Sequence, residues 1–277
     1  MISVEKKDRK RLSKFFKDYK WNYLPDAILE GHVGEALVDN KSNPGVAVLK
    51  IPKLKLFIPG GSANHPAARD FLAHLPKLSS LIFASGGWEE SFKEIQAGKF
   101  FGMQRYTFNS EKLDINYLRK LVSQIPNGYQ LTRMDLNMTQ KLTAEKSSFA
   151  SGHLLNFDSP EDFFSRGFGF CILERDEIAS VATTFIISSG GIEIQVSTRE
   201  KQRRKGLATA AAAQLLIHSL QNGLNPNWDA ENEKSAKLAQ KLGYIPQGNY
   251  HLWLYAGSKP LSGFLKVALK IKEIIEQ

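Results

Sequence analysis

Cysteine is almost missing from this chain. The one thiol, Cys171, excludes an intrachain disulfide, and nothing in the composition calls for an oxidising compartment. No apolar run approaches the ~20 residues that span a bilayer. The amino-terminal stretch MISVEKKDRKRLSKFFKDYK has no apolar h-region, so it does not read as a secretory signal. Histidines are few, six in all, and His65, His74, His153 and His218 are scattered without metal-ligand spacing. These absences predict a soluble, cytoplasmic protein with no metal site and no membrane partner.

What is present is a globular composition. The chain has 277 residues, 42% of them apolar, enough to bury a real core in one large domain or two small ones. The net charge of +9 is uneven: residues 1–20 carry eight Lys/Arg against three Asp/Glu. A basic start suits an anionic partner such as nucleic acid or a membrane surface. It equally suits the solvated face of a helix docked through Leu12, Phe15, Phe16 and Tyr19, which recur at helical spacing. Net charge alone does not separate nucleic acid from a polyphosphate ligand.

Along the first half, residues 36–39, 45–51 and 53–58 read as strands, the second led in by Asn43-Pro44-Gly45. A Gly-rich break at 59–64 precedes a helix over 65–75, with Pro66 in its first turn, where a missing N–H costs nothing. Strand 81–84, helix 88–97, strand 100–108, helix 114–124 and strand 129–134 follow. Residues 134–165 are polar and helical in pattern, and Ser159-Pro160-Glu161-Asp162 is a strong helix start. In the second half, strands at 168–174 and 178–188 form a hairpin about Arg175-Asp176-Glu177, and a third strand covers 192–198. A long helix over 206–222, with its alanine run at 208–213, permits close packing on a sheet. Strand 226–230, a helix over 231–242 stopped by Gly243, strands at 244–245 and 249–255, and an amphipathic helix over 261–275 complete an α+β layout.

The chemistry concentrates in one loop. The strand ending at Thr198 runs into Arg199, Lys201, Arg203, Arg204 and Lys205, after which Gly206 opens the long helix. First-turn N–H groups lack intrahelical acceptors and carry the positive end of the dipole, so a pyrophosphate there gains hydrogen bonds and charge. Gly206 lets the backbone approach the phosphates without a Cβ in the way. Arg203-Arg204-Lys205-Gly206-Leu207-Ala208 resembles motif A of the GNAT N-acetyltransferase superfamily, Arg/Gln-x-x-Gly-x-Gly/Ala. Downstream, residues 227–235 and 238–244 resemble its motif B: a strand, an Asn, a helix and a closing Gly-aromatic pair. The likeness spans about ninety residues and respects the family's order and spacing. The Trp228-Asp229-x-x-Asn232 pattern is similar to a subgroup with an extra N-terminal half that includes antibiotic-modifying enzymes.

The resemblance implies a GNAT-like mixed sheet flanked by helices and acetyl-CoA as cosubstrate. The implied cofactor contacts are Val196, Thr198, Arg203, Arg204, Lys205, Gly206, Leu207, Ala208, Thr209, Asn232 and Ser235. Acetyl transfer to an amine needs a base for the amine proton and a donor for the developing oxyanion. Glu193, in the strand before the phosphate loop, is the candidate base, or else an ordinary solvent-face residue: alternation sets it and Gln195 opposite Ile192, Ile194 and Val196. The backbone over 196–198 is the implied oxyanion and pantetheine partner. Asn232 suits a cofactor contact and a plain helix cap alike. The family's usual thiolate acid, a Tyr seven residues after the motif B Asn, is here Ala239; Tyr244, Tyr250 and Ser235 are the available substitutes. Trp228 and Trp253 read as core aromatics.

The first half echoes the second in element order, even to Trp88 and Trp228 between a strand and a helix, so residues 1–130 read as a possible degenerate GNAT-like unit and 131–277 as the GNAT domain. The loop at 60–65 lacks the basic cluster, so no second cofactor site is expected. Three functions follow: an acetyl-CoA-dependent N-acetyltransferase acting by direct attack of an amine-bearing acceptor, small molecule or peptide; an acyl-CoA-binding regulatory protein without turnover, favoured by Ala239; and a nucleic-acid binder using the basic start, for which no base-reading motif is present.

Overall fold

The structure, a computed structural model, describes residues 1–276. In chain order its elements are β1 (Ile2–Val4), a 3-10 helix (Lys6–Phe16), α1 (Leu24–Leu29), β2 (Glu35–Val38), β3 (Val46–Ile51), β4 (Leu56–Gly61), α2 (Pro66–Ala73), β5 (Ser79–Leu81), α3 (Gly86–Ile95) and β6 (Phe100–Asn109). There follow α4 (Ile115–Val122), β7 (Tyr129–Arg133), α5 (Leu136–Ala144), α6 (Pro160–Arg166), β8 (Gly169–Glu174), β9 (Glu177–Ile187), β10 (Gly191–Thr198), α7 (Leu207–Gln221), β11 (Asn225–Asn227), β12 (Asp229–Ala230), α8 (Glu233–Leu242), β13 (Ile245–Tyr255) and α9 (Lys259–Glu276). This is a mixed α+β fold. Among the described residues no helix is long and apolar enough to cross a membrane.

The chain divides into two compact units, and neither is one continuous segment. One holds Met1–Trp21, Ile28–Arg105 and Tyr250–Gln277; the other holds Asn22–Ala27 and Tyr106–Asn249. The boundary expected near residue 130 falls at β7, inside the second unit. The cause is the last strand of each half. In the first unit β4 and β5 pair in parallel, and β5 pairs antiparallel with Trp253, Leu254 and Tyr255 of β13. In the second, β12 pairs antiparallel with Tyr106 and Thr107 of β6. Each unit thus takes a strand from the other half of the sequence, and the order strand, loop, helix, strand, helix recurs in both.

In the first unit the basic start does dock on apolar residues, as a 3-10 helix with Leu12 and Phe16 buried and Phe15 half-buried. Arg9 in that helix is only 5% exposed and donates to the carbonyls of Val4, Ile28 and Gly34, which offsets the cost of burying a cation. The core gathers Val46, Val48, Leu72, Trp88, Phe92 and Trp253.

The second unit is built on the sheet β11-β10-β9-β8-β7. Arg175 and Asp176 both have positive φ, 48° and 69°, giving the tight β8–β9 hairpin its twist. Ala210, Ala211, Ala212 and Ala213 of α7 are buried in one core with Phe170, Ile172, Ala182 and Ile192 of the sheet; small side chains let the helix approach its neighbours closely. From the other side α4 packs on α7 through Leu118 and Leu121. Two expectations change here. The single strand at 226–230 is two, because the chain leaves β10 after Asn227 and joins β6 at Asp229. The two strands expected at 244–245 and 249–255 are one, β13.

Candidate functional site

The site begins where β10 loses a neighbour. β11 runs parallel to it only over Gly191↔Asn225, Ile192↔Pro226 and Glu193↔Asn227. Beyond Glu193 one edge of β10 has no β11 residue opposite it. The other edge stays paired with β9 as far as Thr198↔Ser180, and the Arg199 N–H donates to Ala179 O at 2.9 Å. Antiparallel pairing alternates, so Gln195 and Ser197 turn their backbone groups toward β9 while Val196 and Thr198 turn theirs to the open edge. Thr198 is fixed there by a 2.7 Å hydroxyl contact to Ser180.

From this edge the chain enters the basic loop. Arg203 is extended, Arg204 has φ 63° and Gly206 φ 81°, and α7 begins at Leu207 with Gly206 as its cap. The first intrahelical bond is Ala210 N–H to Gly206 O, so the N–H groups of Leu207, Ala208 and Thr209 precede any intrahelical acceptor. Leu207 and Thr209 bury their side chains in the unit, Ala208 is half-buried, and Arg203, Arg204 and Lys205 are exposed. A Cβ placed on Gly206 would meet nothing within 4 Å, so the space over the helix start is open. Lys205 donates to Tyr129 Oη (2.8 Å) and Gln202 Oε1 (2.7 Å), and that hydrogen bond to Tyr129 raises its pKa. Arg199 departs from the cluster. It holds Glu145 in a bidentate pair (2.9 and 2.8 Å) and lies over the Phe149 ring, so it braces the strand instead of extending the loop.

Glu193 stands at the point of divergence, and it is not a solvent-face residue: it is 5% exposed. Its Oε1 accepts from Tyr23 N–H (2.7 Å) and Asn227 Nδ2 (3.1 Å), and its Oε2 accepts from Asn227 Nδ2 (3.0 Å). Asn227 and Tyr23 were not foreseen. Asn227 lies within the motif B segment, but only the register Glu193↔Asn227 brings it to the carboxylate; nothing near Tyr23 in sequence points there.

Motif B folds as a helix start. Asn232 Oδ1 accepts from Ser235 N–H at 2.9 Å, an N-cap, and Ser235 Oγ accepts from Trp228 Nε1 at 3.1 Å. Trp228 is buried in the core, as expected. Ala239 is fully buried beside it. Tyr244 donates to Pro226 O at 2.8 Å, and burial, with Glu193 nearby, raises its pKa well above the usual phenol. It is a poor proton donor to a thiolate. Tyr250 lies in the other unit, stacked on Trp21. Cys171 is buried, its thiol pushed up to about 12 by burial, which leaves it inert as a nucleophile.

The corresponding loop of the first unit is different. A Cβ at Gly60 would lie 2.6 Å from the Phe15 carbonyl, and Trp88 Nε1 donates to Gly61 O at 2.9 Å. The chain's own aromatic residues thus press on the end of β4.

A family model described as GNAT acetyltransferase matches residues 13–253. The chain belongs to that family. It is an acetyltransferase. An uncharacterized N-acetyltransferase of Bacillus subtilis (strain 168), YdfB, is 26% identical over 264 residues, covering 92% of this chain and 98% of that protein. A GCN5-related N-acetyltransferase-like protein from Streptococcus suis 89/1591 is 27% identical, with a TM-score of 0.76 over 91% of this chain and all of that one. A tandem GNAT protein from the clavulanic acid biosynthesis pathway shares the fold at 11% identity, TM-score 0.61, covering 93% of this chain and 98% of that one.

Proposed function

We propose that this GNAT enzyme uses acetyl-CoA and passes the acetyl group directly to an amine of a small molecule or peptide. The chemistry lies in the unit formed by Asn22–Ala27 and Tyr106–Asn249. The observation that carries the reading is the open edge of β10 leading straight into a basic, glycine-capped helix start. The N–H groups of residues 207–209, with Arg203, Arg204 and Lys205, suit the pyrophosphate. The backbone of Val196 and Thr198 suits the pantetheine amides and the thioester oxygen, whose negative charge grows as the amine nitrogen attacks. The C–N bond forms, the C–S bond breaks, the amine proton passes to Glu193 directly or through a water, and the thiolate leaves. With Ala239 at the family's usual acid position and Tyr244 committed to Pro226, the thiolate takes its proton from solvent. Asn227 and Tyr23 N–H orient the Glu193 carboxylate. The Trp228-Asp229-x-x-Asn232 pattern supports a place in the subgroup that includes antibiotic-modifying enzymes.

Gly206→Asp tests the cofactor loop. Asp is among the side chains least strained at a left-handed φ, the space around a Cβ is open, and an acid favours a helix start, so the variant is expected to fold with some loss of stability. Its charge opposes the phosphates, and coenzyme A affinity by calorimetry is expected to fall at least about tenfold. Unchanged affinity would overturn the assignment.

Glu193→Gln tests the base. It keeps one acceptor for Tyr23 N–H and removes the proton acceptor. Turnover is expected to drop about a hundredfold or more, most at low pH, where the amine is mostly protonated, with cofactor affinity nearly intact. Wild-type turnover across that range would make Glu193 a structural acceptor only. The second reading, an acyl-CoA-binding protein without turnover, rests on Ala239 and the burial of Glu193. It predicts thermal stabilisation by acetyl-CoA but no thiol release with any member of an amine panel.

A further inference from the structure

His153 is the one histidine of the second unit that is fully buried. Its Nδ1 contacts Thr183 Oγ1 and its Nε2 contacts Ser197 Oγ, both at 2.7 Å. Ser197 Oγ has one proton, and it donates it to Phe149 O at 2.7 Å. Ser197 must therefore accept from His153, which puts the ring proton on Nε2 and leaves Nδ1 to accept from Thr183. Burial depresses the ring's pKa to about 4, in keeping with this neutral form. The direction of the chain also excludes His153 as a base that activates Ser197.

One irregular segment lies against Gln195 and Ser197 on this face of β10 and against Arg199 just past its end. A Cβ at Gly152 would lie 3.6 Å from Gln195 Nε2; His153 and Phe149 O hold Ser197; Glu145 holds Arg199. Asn156 Nδ2 adds a bond to Phe185 O, at the point where the β9–β10 register shifts. Gln195, Ser197 and Arg199 alternate with Val196 and Thr198, whose backbone groups face the open edge. A strand that has lost its parallel neighbour is thus fixed through its side chains.

We propose that His153 and Ser197 are positioning residues that hold the open edge of β10 in the geometry that receives the pantetheine arm. This rests on the cofactor reading above, and the test separates the two. Without His153 the half-buried Ser197 hydroxyl keeps only its bond to Phe149 O and loses the donor that pins it from the other side, which frees the strand between Val196 and Thr198 to shift. The phosphate loop lies beyond the strand's end and is held separately by Lys205, Tyr129 and Gln202.

The experiment compares wild type, His153→Leu and His153→Gln by calorimetry with two ligands: acetyl-CoA, and 3′-phosphoadenosine diphosphate, the nucleotide fragment that lacks the arm. His153→Leu is expected to lose about tenfold in acetyl-CoA affinity, the size of one lost hydrogen bond, and less than about twofold for the nucleotide. His153→Gln, which supplies a donor to Ser197 and an acceptor to Thr183, is expected to recover most of the loss. General loosening of the unit would weaken both ligands alike, and that result, or unchanged acetyl-CoA affinity, overturns the inference. Wild type binding neither ligand overturns the cofactor reading and this inference with it. Should His153→Leu fail to fold, Ser197→Ala carries the same comparison with the same expected split.

Discussion

Residues 131–277, expressed alone, are expected to yield no cooperatively folded protein, although they contain every site residue read from the sequence. The cut removes Phe108, Leu118 and Leu121, all buried in the core that also holds α7 and the sheet. It also removes the β6 residues that pair with Asp229 and Ala230, and the Tyr23 N–H that Glu193 accepts. Losing large buried side chains costs roughly 2–5 kcal/mol each, so three together come to about 6 kcal/mol or more. Whole domains are stable by only about 5–15 kcal/mol. The segment 106–249 keeps all three side chains and both strand partners, and it is expected to show a thermal transition by circular dichroism where 131–277 shows none. Equal, sharp transitions in both segments would refute this account of the unit.

Acid is expected to weaken the full-length protein through His153. Its pKa is about 4 in the folded state and near 6.5 when unfolded. Between those values the unfolded chain takes up a proton that the native state refuses, so ν_U exceeds ν_N and stability falls as the pH falls. The contribution is fully present above the unfolded value and is lost progressively down to about pH 4, about 3 kcal/mol in all. Glu145 acts in the same direction, because its hydrogen bond to Arg199 lowers its pKa, and protonation breaks that pair. That part is shared by any variant that leaves Glu145 alone. His153→Gln has no proton to take up. Urea unfolding of both proteins near neutral pH and near pH 4 is expected to show the smaller acid loss in the variant, by about 3 kcal/mol. Parallel losses would mean that the ring is accessible to protons in the folded state.

Much of the second unit was legible because local signals there agree. The hairpin at 175–177, the alanine-rich helix, the Asn232 cap and the Gly243 stop, with φ 102°, each have their own short-range chemistry. So does the glycine-opened helix after a basic loop, the strongest sign of an anion site. The divergence of β10 from β11 was less legible. Periodicity reads 226–230 as one strand, since it reports which residues face a core and not which neighbour supplies the hydrogen bonds. Arg199 was misplaced for a related reason. In sequence it is one more cation in a basic run, and only the fold brings Glu145 and Phe149 to it.

The family, the basic glycine-opened loop and the type of the main elements can be read from the residues alone, because those depend on neighbours close together along the chain. Tertiary structure decided the rest. It gave each unit a strand from the other half of the sequence, since a sheet edge is satisfied by whichever strand reaches it, whatever its place in the chain. It buried Glu193 against Asn227 and the Tyr23 N–H, from 34 and 170 positions away. It also took His153, a lone histidine in a turn-rich stretch with no motif around it, and set it between Thr183 and Ser197. A side chain's ionisation and role follow from what surrounds it in space, and no local pattern encodes surroundings drawn from such distant positions.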